Sequence, residues 1–225
     1  MRSKYKLRKR KNIITVAIDS PAAAGAGTQA KYIAEEYNLL YLDTGKIYRV
    51  IGKLSLDKKK FNYRTVKNKV SSIKIKNLED KSLLSDKIAV AASLVAKDKK
   101  IRKIIKNFQL NCGYNPPKKY EGSVLDGRDI TSVLMKDAMF KFYITADIKT
   151  RASRRYLEFK KLKKKITYNE VLKSLKNRDY LDKNRRISPL IKTKDSILIN
   201  TSKLSKKACF KKIKTIMDKK INGSL

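Results

Sequence analysis

One short stretch, VAIDSPAAAGAGT at residues 16–28, constrains the fold of this chain more than any other. The apolar run NIITVAI (12–18) has the length and β-branched content of a buried central strand. A turn of small residues follows, and TQAKYIAEEY (28–37) then places apolar residues at helical spacing. A strand, a tight turn and a helix in this order are typical of a loop that binds phosphate with its backbone N–H groups.

The turn departs from the usual phosphate-binding loop because it has no lysine. The standard pattern is Gly, four residues, Gly, Lys and then Ser or Thr. Here Ser20 stands at the first glycine position, Gly25 at the second and Ala26 at the lysine position, with Thr28 two residues further on. We still expect the loop to hold a phosphate, since its small side chains expose the backbone and the helix N-terminus adds positive potential.

The remaining sequence alternates strand-like and helix-like segments. Further buried strands are predicted in NLLYLD, GSVLDGRD, KFYITAD and SILINTS. Helices are predicted over 44–54, over 87–110 as one long or two linked helices, over 148–186 and in the closing CFKKIKTIMDKKI. NCGYNPPKK is expected to be a loop because of its Gly and Pro content. This alternation predicts an α/β fold, a three-layer sandwich with a central parallel sheet flanked by helices.

The chain is strongly basic, with 57 Lys and Arg against 20 Asp and Glu and a net charge of +37. A nucleic-acid partner would be one explanation, because such a surface attracts polyanions. However, the lysines occur in every segment and are rarely interleaved with aromatic residues on which bases could stack. We favour a lysine-rich composition of solvated helix faces and expect no specific nucleic-acid partner.

Cysteine and histidine usage excludes several kinds of site. The chain has no histidine, and its two cysteines, Cys112 and Cys209, lie far apart in sequence. A zinc site of soft ligands and a histidine general base are therefore excluded, and both thiols are expected to be buried in a reducing cytoplasm. The basic N-terminus lacks the apolar core of a secretory signal, and no apolar run approaches the roughly 18–20 residues of a membrane helix.

Several motifs occur in an order and spacing that resembles the bacterial cytidylate kinases, which belong to the P-loop nucleoside monophosphate kinases. They are IDSPAAAGAGT, LDTGKIYR, AASLVA, LDGRDI, ITAD with RASRRY, and RDYLDKNRRISPL with ILINTS, and they extend from about residue 14 to 202. The resemblance implies transfer of the ATP γ-phosphoryl group to CMP or dCMP, with Mg²⁺ accompanying ATP, by a cytoplasmic monomer in pyrimidine nucleotide metabolism. It predicts no dedicated metal ligands in the protein.

The resemblance also implies a division of the chain. Residues 1–12 would form a basic arm, and 13–225 a single P-loop NTPase-like domain. Within it the core would comprise 13–56, 88–156 and 187–225, a short NMP-binding insertion about 57–87, and a lid about 157–186. The insertion is shorter than is usual in this family, so UMP stays an alternative acceptor.

The ATP site implied by the resemblance is the loop itself, with two catalytic arginines at the entry to the lid. Arg154 and Arg155 would close on the nucleotide phosphates and exclude water, which prevents hydrolysis. The residues expected to bind ATP are Ser20, Pro21, Ala22, Ala23, Ala24, Gly25, Ala26, Gly27 and Thr28.

The CMP site is expected where arginines and carboxylates concentrate. RDYLDKNR places two arginines and an aspartate on nearly one helical face, a suitable receptor for a phosphate or a polar base edge. In LDGRDI, either Asp126 or Asp129 orients Arg128 or holds a metal-bound water, and the sequence leaves both alternatives open. The resemblance assigns CMP binding to Thr44, Tyr48, Arg49, Ser93, Arg128, Asp129, Arg178, Asp182 and Arg185, with Arg128 and Arg185 also catalytic.

Lys46 is a second departure from the family, which usually has a small residue at this position. Since a lysine is missing at position 26 and present at 46, we hypothesise that Lys46 reaches the region between donor and acceptor phosphates as a catalytic cation. The alternatives to a working kinase are a catalytically weak or inactive nucleotide-binding homologue and a basic nucleic-acid-binding protein on a kinase fold. An inactive homologue would bind nucleotide without turnover.

Overall fold

A computed structural model describes residues 12–57, 59 and 61–223. Five strands form one parallel sheet in the order β2-β3-β1-β4-β5. They are β1 (Ile14–Asp19), β2 (Leu39–Asp43), β3 (Gly122–Gly127), β4 (Phe140–Thr145) and β5 (Ile197–Asn200). The central strand β1 carries the loop described above, so the predicted strand and its place in the sheet are confirmed. The predicted basic arm, apart from residue 12, lies outside the described residues.

Helices cover both faces of the sheet. They are α1 (Ala26–Glu36), α2 (Thr44–Ser55), α3 (Tyr63–Ser72), α4 (Asp86–Val95), α5 (Lys99–Tyr114), α6 (Ile148–Lys161), α7 (Tyr168–Asn184) and α8 (Lys206–Ile221). Successive β1 residues enter different apolar clusters: Ala17 packs with α2, α3 and α5, whereas Val16 and Ile18 pack with α1 and α8. This alternation is the two-residue period of a strand buried on both faces, and it confirms the three-layer α/β sandwich.

Two helix boundaries differ from the sequence-based expectations, and a third segment settles between two alternatives. The predicted loop beginning at residue 111 starts later, because α5 continues to Tyr114 and buries Cys112 beside Ile105. The 87–110 segment forms two linked helices, one of the two predicted alternatives, and Asp98 caps the second by accepting from the N–H groups of Lys100 and Ile101. The 148–186 segment also breaks in two, since a capping box begins α7.

The segment predicted as a substrate-binding insertion has modest regular structure. It contains α3 and two short 3₁₀ turns, Ile75–Glu79 and Lys81–Leu84. Helices α2 and α4 approach closely beside it, because a β-carbon on Gly52 would lie 2.5 Å from the backbone nitrogen of Ala92. The glycine therefore determines how near α4 stands to the last turn of α2.

Both cysteines, Cys112 and Cys209, are buried free thiols, as expected. Among the helices of the described residues, none combines the length and the apolar character that a membrane crossing requires.

Candidate active site

A large cavity of about 1380 Å³ lies at the carboxyl edge of the sheet, where the parallel strands end. Every predicted nucleotide-binding residue lines it, and so does every predicted catalytic residue except Lys46. Ligands of open α/β sheets bind at this edge, because the loops after the strands meet there. The structure thus brings together motifs that are more than 150 residues apart in sequence.

The loop between β1 and α1 forms one wall of this cavity. Gly25 precedes α1 with a φ of +94°, and Ala23 also takes a left-handed φ of +60°. The N–H of Ser20 donates to the carbonyl of Gly127 at 3.1 Å, which ties the loop to the end of β3. Gly27 lies close to the end of β3, because a β-carbon added there would be 3.4 Å from Asp126 Oδ2. The loop therefore presents backbone rather than side chains.

Asp19, the last residue of β1, fastens a second loop to the first. Its buried carboxylate accepts from the N–H groups of Ile130 and Thr131 at 2.7 and 2.9 Å and from the Thr131 hydroxyl at 2.6 Å. Burial raises the pKa of Asp19 to about 6, although these hydrogen bonds lower it. The π-helical turn Ile130–Leu134, which follows the LDGRD motif, is thus tied to the strand that precedes the loop of residues 20–28.

Asp182 stands among three of the predicted arginines. Arg128 Nε donates to its Oδ2 at 2.8 Å, Arg185 Nη1 lies 3.8 Å from Oδ1, and Arg178 Nε lies 4.0 Å from Oδ2. Desolvation, with repulsion from nearby arginines including Arg128 and Arg49, lowers the pKa of Arg178 to about 10. Positive charge is therefore concentrated in one part of the cavity, which favours phosphate binding.

Asp129 makes a separate ion pair that the sequence reasoning missed. Arg102 Nη2 donates to Asp129 Oδ2 at 2.6 Å, and the Arg102 guanidinium lies over the Tyr48 ring, 5.6 Å from its centroid. Burial raises the pKa of Tyr48 to about 12. The sequence did carry a signal for Arg102, since it is the lone arginine in the lysine-rich run KDKKIRKIIK.

The geometry answers which aspartate orients Arg128. Its carboxylate partner is Asp182, whereas Asp129 pairs with Arg102. Asp126 instead lies at the floor, where Tyr41 OH donates to its Oδ1 at 3.3 Å. Burial and the neighbouring Asp43 carboxylate raise the pKa of Asp126 well above its ordinary value.

Lys46 lies elsewhere than the hypothesis implies. It is half-buried on α2 and is not among the residues that line the cavity, but its charge lowers the pKa of Asp126 and so favours the ionised carboxylate. Any influence of this lysine on the cavity would therefore act through its charge on Asp126. Its catalytic role stays a prediction.

The other predicted arginines have defined partners. Arg154 donates to the Thr201 hydroxyl and carbonyl at 2.9 and 2.7 Å, and Arg155 donates to Glu158 at 2.8 Å while lying over the Phe159 ring. Arg49, which lines the cavity, donates to the carbonyl of Leu83 at 2.8 Å and so connects the cavity to the 3₁₀ turns of the predicted insertion.

Comparison with known proteins agrees with this site. The family model described as cytidylate kinase matches residues 16–219. A cytidylate kinase of Clostridium botulinum (strain Hall) is 35% identical over 222 residues, covering 92% of this chain and 98% of that protein. A cytidylate kinase of Fusobacterium nucleatum is 40% identical over 205 residues, covering 85% and 91%.

A solved structure supports the fold alone. A crystal structure of an uncharacterized protein from Eubacterium ventriosum matches with a TM-score of 0.55 at 18% identity, covering 91% of this chain and 98% of that chain. The family match and the identities, together with the shared cavity of the predicted motifs, show that the chain belongs to the cytidylate kinase family.

Proposed function

We propose that this chain transfers the γ-phosphoryl group of ATP to CMP or dCMP, giving ADP and CDP or dCDP. The observation that carries the proposal is the surplus of guanidinium groups facing one cavity that also contains the phosphate-binding loop. Two aspartates that line the cavity, Asp129 and Asp182, form ion pairs with some of these arginines. The arginines that line it are Arg49, Arg102, Arg128, Arg154, Arg155, Arg178, Arg185 and Arg186.

Phosphoryl transfer requires in-line placement of two nucleotides and positive charge on the transferred oxygens, with little covalent chemistry from the protein. The loop of residues 20–28 would hold the donor phosphates through backbone N–H groups and the α1 N-terminus. Arg128, Arg178 and Arg185 would bind the acceptor phosphate, and the two arginines of α6 would border the transferred group. Enclosure between α6, α7 and α4 would exclude water.

Mg²⁺ would accompany ATP in this site. Two carboxylates that line the cavity, Asp43 and Asp126, supply the oxygen ligands that Mg²⁺ prefers, and Asp126 borders Gly27 of the loop. Within the described ranges, no group of three or more His, Cys, Asp or Glu side chains forms a metal cage. Nucleotide phosphates and water would therefore complete the coordination, and the metal would neutralise part of the phosphate charge.

The acceptor base is proposed to be cytosine because of Asp129 and its neighbours. A carboxylate accepts a hydrogen bond from the C4 amino group of cytosine, whereas it repels the C4 oxygen of uracil. Arg102, which contacts Asp129, and Ser93 also line the cavity and can donate to the base acceptors. This arrangement favours CMP and dCMP over UMP. We further propose a monomer that acts in the cytoplasm.

A coupled assay of ADP release tests the proposal, with ATP, Mg²⁺ and CMP, dCMP, UMP or AMP in turn. Turnover is expected with CMP and dCMP, and at least tenfold lower kcat/KM with UMP. An Arg128→Ala variant serves as the matched control for contaminating kinase. Tight CMP binding without turnover would replace the proposal by an inactive nucleotide-binding protein. Salt-sensitive RNA binding that ignores CMP would point to the nucleic-acid alternative.

A further inference from the structure

Arg151 on α6 is a buried cation that the proposed chemistry does not use. Only 5% of its surface is exposed, and it is not among the residues that line the cavity. Its guanidinium nevertheless makes hydrogen bonds to three different parts of the fold. Nε donates to the carbonyl of Ala146 at 2.9 Å, Nη1 to the carbonyl of Ala22 at 3.2 Å, and Nη1 and Nη2 to the two carboxylate oxygens of Asp179 at 3.0 and 2.6 Å.

The contact with Ala22 is important because of the residue that follows. Ala23 has a φ of +60°, a left-handed conformation that a residue with a side chain rarely adopts. The carbonyl on the other side, that of Ala24, accepts from the Thr201 hydroxyl at 2.9 Å. Both carbonyls that flank the strained residue are therefore held, one of them by Arg151. Such strain persists when the surroundings over-determine it.

The contact with Asp179 leads to the acceptor side of the cavity. Asp179 follows Arg178 on α7, and the same helix carries Asp182, the carboxylate that Arg128 contacts. The Arg151–Asp179 pair is largely buried, with 6% and 15% of the two side chains exposed. A bidentate, buried pair transmits position better than a solvated one, because it has one preferred geometry.

We propose that Arg151 and Asp179 are positioning residues that couple the ATP loop to the CMP-binding helix. This inference rests on the proposed function. A nucleotide that tightens the loop around Ala22 also restrains α7, and CMP bound to α7 restrains the loop in return. Each nucleotide should therefore raise the affinity for the other by the same factor, as thermodynamic linkage requires.

Calorimetric titration of the full chain tests the coupling. The Kd for CMP is measured with and without a saturating non-hydrolysable ATP analogue and Mg²⁺, and the Kd for the analogue with and without CMP. In the wild-type chain we expect each nucleotide to tighten the other at least fivefold. In Asp179→Asn this factor should fall to below twofold, and Asp179→Glu should recover part of it.

Two further variants keep the test decisive. Asp179→Asn leaves the Arg151 cation without its charged partner, so the double variant Arg151→Met with Asp179→Leu replaces the pair by apolar side chains in case the single variant misfolds. It should also show a factor below twofold. Lys214→Met is the matched control, because it removes the 2.8 Å pair with Glu36 at α1 and α8 and should leave the coupling unchanged.

The outcomes separate the two proposals. Wild-type coupling in a folded Asp179 variant, or no coupling in an active wild-type enzyme, overturns the positioning role alone. Failure of the wild-type chain to bind either nucleotide overturns the proposed function.

Discussion

Arg128 Nε lies 2.8 Å from Asp182 Oδ2, which joins the loop after β3 to the end of α7. Asp182→Asn should raise the KM for CMP at least tenfold, because Arg128 and its neighbours lose the carboxylate that orients them. The KM for ATP should change less than threefold. Steady-state kinetics with each nucleotide varied in turn measures both constants.

Asp195→Asn provides the control for removing one negative charge. Asp195 forms an ion pair with Lys141 outside the catalytic cavity, and 59% of its side chain is exposed. The Asp195→Asn variant should leave the KM values for CMP and for ATP near those of the wild type. A wild-type KM for CMP in Asp182→Asn would show that the arginines are held without this carboxylate.

The missing loop lysine gives a second prediction. Lys46→Ala should lower kcat at least tenfold, since Lys46 favours the ionised form of Asp126 and supplies positive charge beneath the loop. Adding Ala26→Lys in the same chain should restore turnover, because it places a lysine at the usual position of the pattern. Lys53→Ala, an exposed lysine on the same helix, is the control. Unchanged turnover in Lys46→Ala would show that other cations suffice.

The burial of Asp19 predicts a pH dependence of stability. Its pKa is raised from 3.8 to about 6, so both states are protonated below about pH 4. Between about pH 4 and 6 the unfolded chain ionises Asp19 first, and its contribution to the free energy of unfolding should fall by about 3 kcal/mol. Urea unfolding of the wild type and Asp19→Asn at several pH values measures the difference. A difference that is constant from pH 4 to 7 would contradict the shift.

The close approach of α2 and α4 predicts an asymmetry between two glycines. Gly52→Ala should cost at least about 2 kcal/mol of unfolding free energy, because the new β-carbon meets backbone atoms of Ala91 and Ala92. Gly113→Ala should cost less than about 1 kcal/mol, since it meets the flexible end of Met135 at 2.9 Å. Thermal unfolding of both variants tests this, and equal losses would contradict it.

The sequence predicts the local motifs of the site better than the contacts between residues that are distant in sequence. The strand and turn around Gly25 follow from apolar length and small residues, and the spacing of Arg178, Asp182 and Arg185 predicts their shared face. The Arg128–Asp182 pair spans 54 positions, however, and no local pattern indicates it. Likewise, an alanine gives no sign of the left-handed φ of Ala23, which depends on hydrogen bonds from α6 and from Thr201.

The helical length of α5 is a comparable case. Gly113 and the following prolines predict a loop, yet burial of Cys112 and Tyr114 against the sheet extends the helix to residue 114. Tertiary packing overrides helix propensity here.

The crowding of guanidinium groups around Asp182 should also make the stability of the folded chain depend on bound nucleotide. With phosphates absent, like charges repel one another across the cavity, and bound nucleotide relieves this repulsion while binding the folded state alone. A nucleotide at a hundred times its Kd stabilises the native chain by about 2.7 kcal/mol. A chain deprived of nucleotides would therefore unfold more readily and be degraded sooner, so the abundance of this protein would follow the supply of its own substrates.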